Sequence, residues 1–103
     1  MNHPYILTRA AESDLQEIVR YTLREWGEKQ SRIYIKQLEI AATELALGHG
    51  IIRERDDLYP GLRVRLAGSH YIFCLPQREK PTVILAFLHE RMNLITRLKE
   101  RLD

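Results

Sequence analysis

Three consecutive residues, His89, Glu90 and Arg91, are the part of this sequence best equipped for chemistry. An imidazole can accept a proton, a carboxyl group can supply one, and a guanidinium can neutralise charge that builds up on a phosphate. Arg63 and Arg65 are further cations, and on a strand they project from one side, about 7 Å apart. Each of these residues also has a plainer role. A histidine at the end of an apolar strand commonly bonds a nearby carbonyl or, here, Glu90; this structural role is the one favoured for His89 and, at a strand start, for His70. Arg63 and Arg65 serve equally as a solvated strand face that resists aggregation or as a cationic patch for a partner. His3 and His49 read as solvated, and the four histidines show no metal-ligand spacing, so no metal or cofactor is expected. Cys74, the only cysteine, lies in the run Tyr71-Ile72-Phe73-Cys74-Leu75 and reads as a small buried hydrophobe rather than a reactive thiol.

These groups depend on the elements that carry them. Tyr5-Ile6-Leu7 reads as a first strand, and Thr8 can cap the helix that follows. That helix has Ala11, Leu15, Ile18, Val19, Thr22 and Trp26 on one face, with Trp26 expected in the core. Gly27 breaks it, most simply as a left-handed cap. A second helix is expected from Glu28 to Leu47, ended by Gly48 and Gly50. Tyr34, Leu38, Ala41, Ala42 and Leu45 form one apolar stripe on it, and Ile33, Ile40 and Leu47 form a second. That arc is wider than one contact surface requires. The single-glycine connection makes the two helices an antiparallel hairpin. His49 to Tyr59 is polar and reads as a loop, and Tyr59-Pro60-Gly61 as a turn. Leu62-Arg63-Val64-Arg65-Leu66 alternates strictly, as a half-exposed strand does. Gly68-Ser69 reverses the chain into a strand from His70 to Leu75, stopped by Pro76. After the loop tip Gln77 to Lys80, Thr82 to Leu88 is apolar throughout, as in a central strand buried on both faces. Asn93 can cap a last helix carrying Leu94, Leu98 and Leu102. Strands with helices segregated to one face make an α+β domain.

At 103 residues and 45% hydrophobic content, the chain has room for one domain, residues 1–103, with a thin core. Its net charge of +2 does not by itself indicate nucleic-acid binding. A DNA-reading helical hairpin would expose basic residues along its second helix, whereas Lys29, Arg32 and Lys36 give way to Glu39 and Glu44. Neither a secretory signal nor a membrane-spanning run is visible, so the cytoplasm is the expected location.

Several segments together resemble one family. They are Leu7 to Ile18, Tyr21-Thr22 with Trp26-Gly27 and Gln30, Tyr59-Pro60-Gly61-Leu62-Arg63, Gly68 to Phe73, and Leu88-His89-Glu90-Arg91-Met92. In this order they resemble ParE toxins of the RelE/ParE superfamily, over nearly the whole chain. One departure is Gly48-His49-Gly50, where many ParE-like chains carry a proline. The resemblance implies a twisted antiparallel sheet, here the N-terminal strand plus the three-stranded C-terminal meander, with the helical hairpin packed on it and a short C-terminal helix. It implies a toxin that is not an enzyme and inhibits DNA gyrase by protein–protein binding, without contacting nucleic acid directly. It also implies a ParD-like antitoxin, in a hetero-oligomer, whose C-terminal segment wraps the toxin. The cations offered to the target are then Arg63, Arg65, Arg91 and Arg97, and the groove for an antitoxin helix would use Ile33, Tyr34, Leu62 and Tyr71. The alternative on the same fold is a RelE-like ribosome-dependent mRNA endonuclease built on His89, Glu90, Arg91 and Arg65. Such enzymes usually carry a richer basic cluster and a late aromatic residue, and no aromatic follows Phe87 here.

Overall fold

The computed structural model describes residues 3–102. The chain forms β1 (Tyr5–Leu7), α1 (Arg9–Trp26), α2 (Glu28–Leu47), β2 (Arg53–Glu54), β3 (Arg63–Ala67), β4 (His70–Gln77), β5 (Lys80–His89) and α3 (Leu94–Leu102). The sheet has the order β1-β5-β4-β3-β2. Every neighbouring pair is antiparallel except β1 and β5, which run parallel, Tyr5 opposite Thr82 and Leu7 opposite Ile84. Tight turns force antiparallel neighbours only within the meander. Between β1 and β5 lie the helical hairpin and the strands β2, β3 and β4, and so long a connection permits either direction.

Thr8 starts α1 as expected: its Oγ1 accepts the Ala11 N–H at 3.0 Å and donates to the Leu85 carbonyl at 3.4 Å. The hairpin turn is Gly27 alone, at φ 85° and ψ 172°. Its φ is positive as expected, but its ψ is extended, a region essentially confined to glycine. The expected α2 stripe of Tyr34, Leu38, Ala41, Ala42 and Leu45 is buried against the sheet. Burying a side chain such as Leu38 or Leu45 fully contributes about 1.5–3 kcal/mol. Between the two helices a buried polar contact sets their alignment. The Thr22 hydroxyl donates to the Ile18 carbonyl at 2.8 Å, which leaves the Ser31 hydroxyl to donate to Thr22 Oγ1 at 2.6 Å.

Several expectations are corrected. Trp26 is not a core residue: it is 48% exposed at the hairpin tip, with its ring edge-on to Tyr34. The polar 49–59 segment contains the two-residue strand β2. Pro76 does not end β4, which runs on to Gln77 through a register shift, where a missing N–H is tolerated. The helices are not gathered on one face. The hairpin packs over Ala67, Ile72, Cys74 and Ile84, whereas Leu98 of α3 joins Leu62, Val64, Phe73, Leu85 and Leu88 in a second cluster. β5 supplies both clusters, which is why its sequence is apolar without alternation.

One ion pair links the two sides around the sheet edge. β1 ends at Leu7, so β5 beyond Ile84 has no strand beside it on that edge. Asp14 of α1 accepts the Phe87 N–H at 3.0 Å there, and Arg101 of α3 donates to the Leu85 carbonyl at 3.0 Å. The two side chains then pair in a fork, at 2.8 and 2.6 Å.

Candidate functional site

The β4–β5 register sets His70 opposite His89 at one end of the sheet. Tyr34 reaches this point from α2 by lying over the Gly68-Ser69 turn. Gly68 has φ 59°, and a Cβ there would fall 2.5 Å from the Tyr34 ring, so both the turn and the close approach require glycine. The Tyr34 hydroxyl accepts the Ser69 N–H at 3.0 Å and donates its own proton to His70 Nδ1 at 2.6 Å. A proton donated by Tyr34 in this way goes with a neutral His70 that carries its own proton on Nε2. Burial, then the neighbouring His89, pushes its pKa down to about 4. Burial likewise raises the Tyr34 hydroxyl above its usual value. His89 Nδ1 accepts the Arg91 N–H at 3.1 Å, so its partner is a backbone amide, neither a carbonyl nor Glu90. Tyr21, Trp26, Tyr34, His70 and His89 form a chain of edge-on rings. They line a cleft of about 600 Å³ with Met92 at its margin.

The structure does not assemble the four residues named for ribonuclease chemistry. His89 is the last residue of β5, and Glu90 and Arg91 follow it, exposed. Arg65 lies on β3, where its Nη1 pairs with Glu44 Oε1 of α2 at 2.7 Å. Arg63 and Arg65 do share a side of their strand, but that side faces the end of α2 rather than open solvent: Gly48 sits beside the Arg63 guanidinium and Gly50 beside that of Arg65. A helix C-terminus favours such cations. Arg91 and Arg97 are exposed and make no ion pair among the described residues.

The four apolar residues named for an antitoxin groove are also dispersed. Ile33 stands on the outer face of α2, and Tyr34 is buried beneath it. Leu62 is fully buried and Tyr71 half-buried on the opposite face of the sheet. The second stripe of α2 does stand in solvent: Ile33, Ile40 and Leu47, seven residues apart, are each 50–54% exposed. Leu66, Ile51, Met92 and Ile95 also stand exposed. For Leu66, Ile51, Met92 and Ile95 the sequence gives no sign that nothing covers them, whereas the surplus width of the α2 arc does so for its second stripe.

Residues 5–94 match the family model described as "ParE toxin of type II toxin-antitoxin system, parDE". The chain belongs to the ParE toxin family. It is 50% identical over 98 residues to Toxin ParE of Escherichia coli, covering 95% of each chain. It is 34% identical over 94 residues to Toxin ParE1 of Mycobacterium tuberculosis, covering 91% of this chain and 96% of that one. Toxin ParE1 of Caulobacter vibrioides is 33% identical over 91 residues, with 87% and 92% covered. Among solved structures, a chain of the "Chromosomal ParDE TA system from P. aeruginosa" superposes with a TM-score of 0.63 at 19% identity. That chain matches over 85% of this one and 98% of its own length, and the likeness bears on the fold. In this ParE toxin the matched span runs from β1 to the first residue of α3, so the helical hairpin and the whole sheet belong to the shared part. No helix of the described residues is long and apolar enough to cross a membrane.

Proposed function

We propose that this ParE toxin is a single cytoplasmic domain that arrests growth by binding DNA gyrase, without catalysis, and that a ParD-like antitoxin neutralises it. The observation that carries the reading is where the surface keeps its apolar residues. The core is closed, with no buried side-chain polar atom left without a partner among the described residues. Yet Ile33, Ile40 and Leu47 along α2, and Tyr21, Leu23 and Trp26 around the hairpin tip, remain in water. Exposed apolar patches of this kind mark protein-binding surfaces. Of the four arginines, Arg91 and Arg97 make no ion pair among the described residues and are free to meet an acidic surface on the target; Arg63 and Arg65 would have to give up their seats at the end of α2. The antitoxin would then cover the α2 stripe rather than a groove through Leu62 and Tyr71. The ribonuclease alternative is less well supported, because Arg65 is paired with Glu44 on β3 whereas His89, Glu90 and Arg91 lie at the end of β5.

The experiment is pulse labelling after induction of the toxin in cells. The reading predicts that DNA synthesis falls before protein synthesis, and that co-expression of the neighbouring antitoxin restores both. Protein synthesis falling first, with cleaved mRNA, would overturn it in favour of ribosome-dependent cleavage.

A further inference from the structure

We propose that gyrase docks in the cleft between α1 and the His70 end of the sheet, by inserting one aromatic side chain carried on an acidic loop. The proposal rests on the reading that gyrase is the target, and adds where the target sits and what it must present. Apolar surface is thinly spread on α2, where Lys36, Gln37, Thr43 and Glu44 stand between Ile33, Ile40 and Leu47. At the cleft it is gathered. Tyr21, Trp26 and Met92, each 45–50% exposed, line one concave space of about 600 Å³. Trp26 is edge-on to Tyr21 at 6.3 Å and to Tyr34 at 5.4 Å, so the exposed ring is held from two sides. A tryptophan fixed in this way beside a cavity is the kind of anchor from which interfaces draw most of their binding energy. Aromatic rings pair edge-on or offset with further rings, and one ring from the partner extends the series Tyr21, Trp26, Tyr34.

The polar groups select what accompanies that ring. The acceptors on the walls are engaged: Asp14 takes three donors, Glu17 pairs with Arg20, and the Thr22 and Tyr34 hydroxyls bond within the fold. The donors are not. The Arg91 amide can only donate, so the His89 ring carries its proton on Nε2, and the Tyr34 bond goes with the same arrangement at His70. Neither Nε2 makes a hydrogen bond among the described residues, and both rings line the cleft. Arg91, two residues beyond His89, is exposed and makes no ion pair among the described residues. Free N–H donors near an unpaired guanidinium call for carboxylate or carbonyl oxygens on the partner. The floor is already fixed in place. Ser69 donates its N–H to the Tyr34 hydroxyl at 3.0 Å, and its carbonyl accepts the Glu90 N–H at 2.8 Å, so docking has little left to order.

The test is binding of purified toxin to purified gyrase, read in two ways. Hydroxyl-radical footprinting of the unaltered toxin should show Tyr21, Trp26 and Met92 protected in the complex, while Tyr59, exposed towards the opposite end of the sheet, stays reactive. Trp26→Ala should raise the dissociation constant by about 30-fold or more, as loss of a central anchor does. His89→Phe, which keeps a ring but loses the N–H, should raise it by about tenfold. Arg78→Ala, at the far tip between β4 and β5, should bind within about twofold of the unaltered toxin. Circular dichroism checks that each variant is folded. Unaltered toxin that does not bind gyrase would overturn the gyrase reading and this proposal with it. Toxin that binds while Trp26 and Met92 stay as reactive as in the free protein, or folded Trp26→Ala or His89→Phe that binds as tightly, would overturn the docking in the cleft alone.

Discussion

Replacing Asp14 with asparagine should loosen the contact that ties α1, the free edge of β5 and α3 together. Asp14 accepts three hydrogen bonds, from the Phe87 N–H at 3.0 Å and from both terminal nitrogens of Arg101 at 2.8 and 2.6 Å. Its side chain is 15% exposed and that of Arg101 22%. The hydrogen bond to Asp14 and its charge both raise the Arg101 pKa, so the guanidinium stays protonated at any ordinary pH. Asparagine keeps one acceptor for Phe87 but removes the charge and turns an N–H₂ toward a cation. Breaking a fully buried pair costs about 3–5 kcal/mol. With both side chains partly wetted, and Arg101 still bonded to the Leu85 carbonyl, we expect about 2–3 kcal/mol. A small domain has only about 5–15 kcal/mol in total, so the variant should still fold. In a urea titration the midpoint should fall by about 0.7–3 M, taking a slope of about 1–3 kcal/mol per molar for a small domain. Pairing Asp14→Asn with Arg101→Met in a double-mutant cycle should return a coupling of at least about 1 kcal/mol. Additive effects, or a loss under about 0.5 kcal/mol for Asp14→Asn, would refute the idea that this pair holds α3 to the sheet edge.

Other outcomes follow from the same contacts. His70 is neutral in the fold because burial lowers its pKa to about 4 from an ordinary 6.5. The unfolded chain thus binds a proton that the folded one refuses between those values. His70 therefore contributes stability that is complete above about pH 6.5 and is lost as pH falls toward about 4; stability measured against pH should lose that slope in His70→Gln. Gly68→Ala should destabilise by about 1–3 kcal/mol in thermal melts, because the new Cβ meets the Tyr34 ring at a positive φ; an unchanged midpoint would contradict the close approach. Thr22→Val should cost about 1–2 kcal/mol by orphaning the buried Ser31 hydroxyl, and adding Ser31→Ala should recover part of it; a purely additive double variant would show that the two hydroxyls are not coupled.

The elements of this fold were legible wherever a repeat in the sequence has one structural meaning. The α2 stripe from Tyr34 to Leu45, the alternation of β3 and the unbroken run of β5 each follow from side-chain period, and Thr8 and Asn93 act as caps through their own side-chain oxygens. What stayed hidden depends on contacts between residues far apart in the chain. The parallel direction of β1 is decided by pairing with residues near 83, and the placement of α3 by which side of β5 its leucines reach. An amphipathic pattern says that Leu98 is buried but not against which face. The site followed the same logic. Alternation puts Arg63 and Arg65 on one side of their strand, and only the position of α2 reveals that this side lies under the helix end. Leu62 satisfies the same strand pattern as a groove residue would, yet Leu98 and Phe73 share its cluster and it is fully buried. The second stripe of α2 was visible as surplus apolar surface, because three more large residues on one helix exceed what a single packing face uses.

The measurement that bears most directly on the central claim is a titration of purified gyrase with purified toxin, scoring supercoiling of relaxed plasmid. If the toxin acts by binding, activity should fall in proportion to the toxin added, level off as gyrase becomes saturated, and return when the antitoxin is supplied. Gyrase that keeps full activity against a large excess of folded toxin would contradict the account.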